Sequence, residues 1–236
     1  MIIFVQNVEV GFHFILRSLV TVRIKVRFDY VEFKLRVSKL SRYPRLILAS
    51  SSPRRRQLLN DAGYEFEILP PDDSVEQGLC SKCSPAELVS EHAFHKALAI
   101  ANTISDGIVI GADTVGECDG RVLGKPVDAD HARQMLELMS GRQHRVLTGV
   151  CLWHRPSGKQ VSHIEQTHLT MDPLTDQWLD SYLETDGWIG KAGAFGYQDG
   201  LDWIRIDKGL ESNVVGFPVE RLDGLLEELM KAVENS

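Results

Sequence analysis

The chain has 236 residues, of which 43% are hydrophobic and 25% are charged, and its formal net charge at pH 7 is −7. These values are typical of a soluble globular protein and fit one large domain or two lobes around a cleft. The negative charge argues against general nucleic-acid binding, because a polyanion needs a basic surface, and no apolar run reaches the roughly 18 residues of a membrane span.

The N-terminal segment differs in charge from the rest of the chain. Residues 1–45 carry nine basic and three acidic residues, whereas the remainder carries 17 basic and 30 acidic residues. The apolar start resembles a secretory signal, but Glu9 precedes any basic residue, Arg17 interrupts the apolar run and no small-residue cleavage site follows. We therefore predict an N-terminal extension of unknown role at 1–44, with a start codon chosen too far upstream as an alternative origin, and one main domain at 45–236.

The first predicted strand, at 45–49, runs into a helix that begins at Pro53 after a capping Ser52. A helix N-terminus presents unpaired backbone N–H groups and the positive end of the helix dipole, and both favour a phosphate. Hydroxyl donors from Ser50 and Ser52 and guanidinium donors from Arg54 and Arg55 strengthen this prediction. The alternative is an ordinary capped surface helix with solvated arginines.

A second helix begins at Ser84, where the sequence has an N-cap, a proline at the first helical position and Glu87 to complete a capping box. We predict that it runs to about Ala101. At 3.6 residues per turn, Lys96 shares an arc with Val89, Ala93 and Ile100. A lysine on an apolar face either extends outward to solvent or serves a buried anion.

An apolar strand at 107–111 precedes Asp113 and Thr114. We predict that this strand delivers the Asp113 carboxylate to its carboxyl end, where α/β folds place their ligands. There the carboxylate binds a divalent metal or takes a proton from water, or it only caps the following turn. Lys125 follows in a tight turn and is a surface residue by default.

The remaining elements alternate between helix and strand without a strict βαβ rhythm. We predict helices at 130–139 and from Thr175 or Asp176 to Leu183, and strands at 145–153 and 163–171. Pro218 opens a last helix, which keeps Leu222, Leu225, Leu226 and Leu229 at helical spacing. The fold class is therefore α/β or mixed α+β, with a twisted mixed sheet flanked by helices and a central cleft between two lobes.

Two late segments complete the candidate site. The stretch 190–198 has three glycines within seven residues, which permit close backbone approach to a ligand, and it contains Lys191 and Gln198. The Gln198 amide offers both a donor and an acceptor to a base edge, although a flexible loop without a ligand is the alternative. The segment 212–218 is predicted as a turn into a helix start that forms a wall of the pocket.

The four cysteines raise the alternative of a zinc site. Cys80 and Cys83 precede His92 and His95, but the gap between the pairs is shorter than in a zinc finger and both histidines lie in the predicted helix. We predict no structural zinc. Few and irregularly spaced cysteines favour a reducing cytoplasm.

Taken together, these segments resemble the Maf family of nucleotide pyrophosphatases. The family pattern consists of A-S-x-S-P-R-R after a strand, a Lys-Ala helix, G-A-D-T, G-K-P, K-A-G-A-[YF]-G-x-Q and a V-V-G-x-P turn, and all six parts occur here in order across residues 45–233. The sequence departs from the pattern at Gln198-Asp199, where the family has Q-G, and residues 1–44 have no counterpart.

The resemblance implies a two-lobed mixed fold, a divalent cation (Mg²⁺ or Mn²⁺), a homodimer, a cytoplasmic location and release of pyrophosphate from a nucleoside triphosphate. It implies that Asp113 is the proton acceptor or a metal ligand and that Arg54 contacts the triphosphate. An acidic residue of the segment 72–76 assists the metal, and we assign Glu76, although the register is ambiguous. The predicted substrate-binding residues are Ser50, Ser52, Arg54, Arg55, Lys96, Thr114, Lys125, Lys191 and Gln198.

Thr114 and Gln198 resemble the branch of the family that acts on dTTP and UTP. Another branch acts on 7-methyl-GTP and carries G-S-D-Q in place of G-A-D-T, and it supplies the first alternative. A nucleotide-binding regulator of septum formation without turnover is the second alternative, and it would not need Asp113. A generic phosphatase that releases orthophosphate is the third.

Overall fold

The computed structural model describes residues 2–5, 8–14, 19–26, 29–36, 43–76, 83–197 and 202–235, and for residues 2–36, Asp73 and Glu76 it describes the backbone alone. The chain divides into two compact units. One contains residues 1–44 and 59–65, and the other contains residues 45–58 and 66–236.

The first unit contains a four-stranded antiparallel sheet in which each strand pairs with the next along the chain. Its strands are β1 (Ile2–Val5), β2 (Val8–Phe14), β3 (Leu19–Val26) and β4 (Asp29–Arg36). The sequence of 20–26 alternates apolar and polar residues, and this period of two favours strands. The predicted extension at 1–44 therefore contains regular structure that the sequence interpretation did not assign.

The second unit is built on a seven-stranded sheet with the order β11-β10-β9-β7-β5-β6, in which β8 also pairs with β7. The strands are β5 (Leu46–Ala49), β6 (Glu67–Ile68), β7 (Gly107–Cys118), β8 (Arg121–Leu123), β9 (Gln143–Arg155), β10 (Gln160–Met171) and β11 (Ile204–Lys208). β5 is parallel to β6 and β7, and the other pairs are antiparallel. The predicted mixed sheet is confirmed.

The described residues contain six α-helices: α1 (Pro53–Asp61), α2 (Pro85–Ala101), α3 (Ala129–Met139), α4 (Asp176–Leu183), α5 (Glu211–Val215) and α6 (Val219–Glu234). Short 3₁₀ turns occupy Asp73–Glu76 and Ala192–Ala194. The capping predictions hold for three helices: the Ser84 and Glu87 side chains form the reciprocal capping box of α2, Thr175 caps α4, and the Ser52 hydroxyl accepts from the Arg55 N–H at 3.5 Å at the start of α1. The helices predicted from periodicity are confirmed to within about one residue.

Two glycines allow α2 to pack directly against the sheet. A Cβ added to Gly111 of β7 would lie 2.2 Å from the carbonyl oxygen of Ala93, and one added to Gly149 of β9 would lie 2.2 Å from that of Val89. Both distances are far inside van der Waals contact, so any larger residue would push the helix away from the sheet. The buried face of α2 includes Lys96, as its predicted arc requires.

Apolar clusters pack on different parts of the sheet. One lies between α2 and the strands β5, β7 and β9, and another, rich in aromatic and methionine side chains, lies among α3, α4, β10 and β11. Within the described residues, no helix is long and apolar enough to cross a membrane.

Three expectations from the sequence are wrong in detail. The strand predicted at 107–111 continues to Cys118, because its antiparallel pairing with β9 extends from Gly107 to Glu117. Asp113 therefore lies inside a strand and not at its carboxyl end. The turn predicted at 212–218 contains most of helix α5. The short strands β6, β8 and β11 had no distinct sequence signal and were not predicted.

Candidate active site

One cavity of about 850 Å³ collects nine of the residues that the sequence predicts as catalytic or substrate-binding. They are Ser50, Ser52, Arg54, Arg55, Lys96, Asp113, Thr114, Lys125 and Lys191. The sheet explains why distant segments meet here. The parallel pairing of β5 with β7 ends where Ala49 lies opposite Gly111, so Ser50, which follows β5, and Asp113, two residues farther along β7, lie near the same part of the sheet.

The turn from β5 into α1 forms one wall of the cavity. The Ser50 hydroxyl accepts a hydrogen bond from the Ser52 backbone N–H at 3.2 Å, and the first turn of α1 contains no acidic residue. The first N–H groups of a helix and its dipole favour an anion, and nothing in this first turn opposes them. This wall is therefore suited to a phosphate group.

Arg55 is buried, with 8% of its surface exposed, and its guanidinium joins three segments of the cavity. It donates from Nε to the Gly216 carbonyl at 2.9 Å, from Nη1 to the Ser50 hydroxyl at 3.1 Å and from Nη2 to the Thr114 hydroxyl at 3.1 Å. A guanidinium has five N–H donors in a rigid fork, so one side chain can serve several acceptors at once. Arg55 therefore links three segments of the cavity wall as well as lining the cavity.

The network continues away from the cavity into the core. The Thr114 hydroxyl lies 2.9 Å from the hydroxyl of the fully buried Thr148, which donates to the Asn213 carbonyl at 3.3 Å. The Asn213 amide in turn donates to the Val146 carbonyl and to the Thr167 hydroxyl. Buried polar groups that satisfy one another in this way rigidify the structure around them.

Asp113 is 9% exposed and faces α2. Its Oδ1 accepts a hydrogen bond from Lys96 Nζ at 2.7 Å, and its Oδ2 lies 3.2 Å from Nδ1 of His92. Lys96 and His92 are four residues apart on α2, so they lie on the same face of the helix, one turn apart. Each carboxylate oxygen therefore has its own partner from one helix.

These surroundings keep Asp113 ionised. Burial by itself raises the pKa of a carboxyl group, but here the hydrogen bond from His92 and the charges of Lys96 and Arg55 outweigh it and hold the pKa of Asp113 at about 2. A base this weak is poorly matched to taking a proton from water at neutral pH. The arrangement favours a fixed negative charge that orients water or a cation.

The side chains at the mouth of the cavity differ from these buried groups. Lys125 is exposed, and Arg54 and Lys191 are partly buried. Arg54 Nη2 donates to the Gly190 carbonyl at 3.1 Å, and the Gly193 N–H donates to the Gly124 carbonyl at 3.0 Å. The glycine-rich segment is thereby held against the wall that carries Lys125. Gly193 has a φ of 71°, a left-handed conformation that glycine adopts without strain.

Two predicted site residues are not described. Gln198 lies outside the described residues, and for Glu76 only the backbone is described. The neighbouring Asp72 lines the cavity, and its side chain accepts a hydrogen bond from the Ser74 N–H at 2.8 Å. Asp72 is thus an acidic residue of this segment that lines the cavity, and the assignment of Glu76 stays a prediction.

The cysteines can be placed in part. Cys118 and Cys151 are buried free thiols, and burial raises the pKa of Cys151 to about 11. Cys80 lies outside the described residues, and Cys83 is disulfide-bonded, which leaves its sulfur without the thiolate form that binds zinc. The absence of zinc stays a prediction.

His92 is the site residue that the sequence interpretation missed. The sequence interpretation treats it only as a candidate zinc ligand, yet it lines the cavity beside Asp113. Its position four residues before Lys96 was the available signal, because a lysine on the buried face of a helix marks that face as polar at this point.

A divalent cation fits this donor set. Asp72 and Asp113 are the acidic side chains among the described residues that line the cavity, and these residues contain no cluster of three or more metal-binding side chains. Mg²⁺ is commonly held by one or two carboxylates together with substrate phosphates and water. A cation that arrives with a triphosphate therefore needs no more acidic ligands than this cavity supplies.

The part of the chain that forms the cavity is similar to known proteins. The family described as Maf-like protein matches residues 45–229. A dTTP/UTP pyrophosphatase of Rhodopirellula baltica is 53% identical over 190 residues, which cover 80% of this chain and 84% of that protein. One of Bacillus cytotoxicus is 41% identical over 179 residues, which cover 75% and 92%. A solved nucleoside-triphosphatase / dITP/XTP pyrophosphatase of Mycobacterium abscessus is 14% identical with a TM-score of 0.40, over 80% of this chain and 97% of that one.

Proposed function

This chain belongs to the Maf-like protein family, and from that premise we propose that it is a hydrolase that converts dTTP and UTP to the nucleoside monophosphate and pyrophosphate. Its relatives at 53% and 41% identity are named for this activity. The observation that carries the proposal is the ionised Asp113, held by Lys96 and His92 in the same cavity as the N-terminus of α1. That cavity combines an anion-binding wall with a fixed negative charge.

The reaction needs water to attack the α-phosphorus while the bond from that phosphorus to the α–β bridging oxygen breaks. The electron pair of this bond leaves with pyrophosphate, and the proton of the attacking water passes to solvent or to a nearby base. Arg54, Lys125 and Lys191 stand at the mouth of the cavity, where their charges stabilise the negative charge that builds on the leaving group. The N–H groups of the first turn of α1 bind the phosphates next to these cations.

Asp113 has a role that follows from its low pKa. It stays anionic throughout the neutral range, so it orients the attacking water and helps to hold a divalent cation more readily than it stores a proton. We propose Mg²⁺ or Mn²⁺, held by Asp113 and Asp72 together with the phosphates. When bound, the cation neutralises phosphate charge and lowers the pKa of bound water.

The preference for dTTP and UTP rests on the named relatives and on Thr114 and Gln198. The Thr114 hydroxyl is engaged by Arg55, Thr148 and the Gly216 carbonyl, so it shapes the floor of the cavity. Other side chains must therefore recognise the base, and we propose that Gln198 is one of them. A homodimer and a cytoplasmic location are further proposals that rest on the family.

A nucleotide panel with separate readouts for pyrophosphate and orthophosphate tests this function. The full-length protein with Mg²⁺ or Mn²⁺ should give one pyrophosphate per monophosphate, fastest with dTTP and UTP. Orthophosphate as the first product would point to a generic phosphatase, and nucleotide binding without any product would point to a regulator. A rate on 7-methyl-GTP well above the rates on dTTP and UTP would overturn the substrate assignment and leave the reaction class in place.

A further inference from the structure

His92 makes a contact with Asp113 that Lys96 does not duplicate. Lys96 Nζ lies 2.7 Å from Oδ1, and His92 Nδ1 lies 3.2 Å from Oδ2. A carboxylate only accepts hydrogen bonds, so the Nδ1 atom of His92 donates in this pair. The two contacts approach the carboxylate from residues one helical turn apart.

Two partners constrain Asp113 more than one. The terminal torsion of an aspartate side chain is broad, because rotation of a planar carboxylate about its last bond meets no steep barrier. A single partner on Oδ1 allows the carboxylate plane to swing around that contact. A second partner on Oδ2 removes this freedom and fixes the direction in which the lone pairs of the carboxylate point.

The helix that carries both partners is held firmly against the strand that carries Asp113. Gly111 and Gly149 allow the backbone of α2 to lie against β7 and β9 without an intervening side chain. The side chains of His92 and Asp113 are only 14% and 13% exposed, so water competes little for their contact. A catalytic group needs support of this kind to stay within about 0.5 Å of its productive position.

We propose that His92 is a positioning residue that fixes the plane of the Asp113 carboxylate for attack on the α-phosphorus. This inference rests on the proposed function and adds to it a residue that acts through Asp113. Removal of His92 leaves the charge of Asp113 and its pairing with Lys96 in place. The loss should therefore fall on the chemical step and not on nucleotide binding.

The test compares His92→Leu with His92→Asn. Leucine removes the donor, and we expect kcat for dTTP to fall by about 10- to 100-fold, the usual cost of losing such a support, while KM changes by less than about threefold. Asparagine places an amide nitrogen where Nδ1 stands, so kcat should recover to within about threefold of the wild type. His92→Gln places its amide one bond farther out and gives a second loss variant if His92→Leu does not fold.

His95→Leu is the matched control. His95 lies on the same helix, its side chain is 34% exposed, it pairs with Glu91 at 3.5 Å and it does not line the cavity. This variant should keep kcat, KM and the melting temperature of the wild type.

The outcomes separate this proposal from the proposed function. A wild type that makes no pyrophosphate overturns both. If the wild type makes pyrophosphate and His92→Leu retains its full kcat, the positioning role is refuted and the function stands. The positioning role is also refuted if His92→Asn loses as much kcat as His92→Leu, or if kcat falls only in proportion to folded protein.

Discussion

The active site has an inner group of side chains that hydrogen-bond to one another and an outer group of cations at the mouth of the cavity. The inner group consists of Ser50, Arg55, His92, Lys96, Asp113 and Thr114, whose side chains are joined by hydrogen bonds to one another and to the Gly216 carbonyl. The outer group consists of Arg54, Lys125 and Lys191 at the mouth of the cavity. We therefore expect the inner group to contribute mainly to stability and the geometry of Asp113, and the outer group to contribute mainly to substrate binding.

The largest effect should follow from Asp113→Asn in the inner group. The change keeps the shape but removes the fixed charge, so we expect kcat to fall by about 10²-fold or more. It also leaves Lys96 buried without its counter-charge, so the melting temperature should fall as well. Steady-state kinetics and a thermal unfolding scan measure the two effects.

The double variant Asp113→Asn with Lys96→Met separates stability from chemistry. It removes both charges together, so the melting temperature should recover while activity stays lost. A double variant that regains activity would remove Asp113 from the mechanism. The pKa of Asp113 is lowered from 3.8 to about 2, so its ionisation contributes stability above about pH 4 that is lost as the pH falls towards 2. Acid unfolding of the double variant should lack this component.

Adjacent arginines provide the next test of the contrast, because Arg55 belongs to the inner group and Arg54 to the outer group. Arg55→Ala removes three hydrogen bonds and leaves the Gly216 carbonyl and the Ser50 and Thr114 hydroxyls with one partner fewer each. We expect a loss of about 2–4 kcal/mol in the free energy of unfolding, or roughly 5–15 °C in Tm. Arg54→Ala should change Tm by less than about 2 °C and raise KM for dTTP by about 10-fold.

Differential scanning fluorimetry measures Tm, and steady-state kinetics measures KM. Each of the two variants serves as the control for the other. Equal losses of Tm in both variants would show that the division into inner and outer groups is wrong.

The sequence predicted the parts of this site that local signals determine. The capping box at Ser84 and the apolar arc through Lys96 depend on residues within one or two turns, and both are confirmed. Asp113 was placed at a strand end because the apolar run stops at Gly111, and only the long-range pairing with β9 shows that the strand continues. The spacing of His92 and Lys96 places both on one face of α2, but no local pattern identifies Asp113 as the partner that tertiary packing brings to them.

Local sequence patterns also do not identify the hydrogen-bond partners of Arg55 or the sheet formed by β1 to β4. The contact of Arg55 with a phosphate stays a prediction, and its guanidinium also reaches the nearby Ser50 and two residues that are distant in sequence, Thr114 and Gly216. No rule of spacing identifies Gly216 as its acceptor. Strands β2, β3 and β4 alternate apolar and polar residues over most of their length, whereas β1 is apolar throughout and carries no such signal.

The smallest effect should come from removing the N-terminal segment. The family match begins at Arg45, and every residue that lines the cavity lies beyond it. A chain that starts at Tyr43 should fold and hydrolyse dTTP with kcat and KM within about twofold of the full-length values. Soluble yield, circular dichroism and kinetics measure this. Loss of soluble protein would show that the segment is structural.

The central claim is that the fixed carboxylate of the inner group directs water to the α-phosphorus while the outer cations hold the leaving group. Hydrolysis of dTTP in ¹⁸O-labelled water, with mass spectrometry of both products, tests it most directly. The account predicts one ¹⁸O atom in the thymidine monophosphate and none in the pyrophosphate. Label in the pyrophosphate, or in orthophosphate released from the end of the chain, would contradict it.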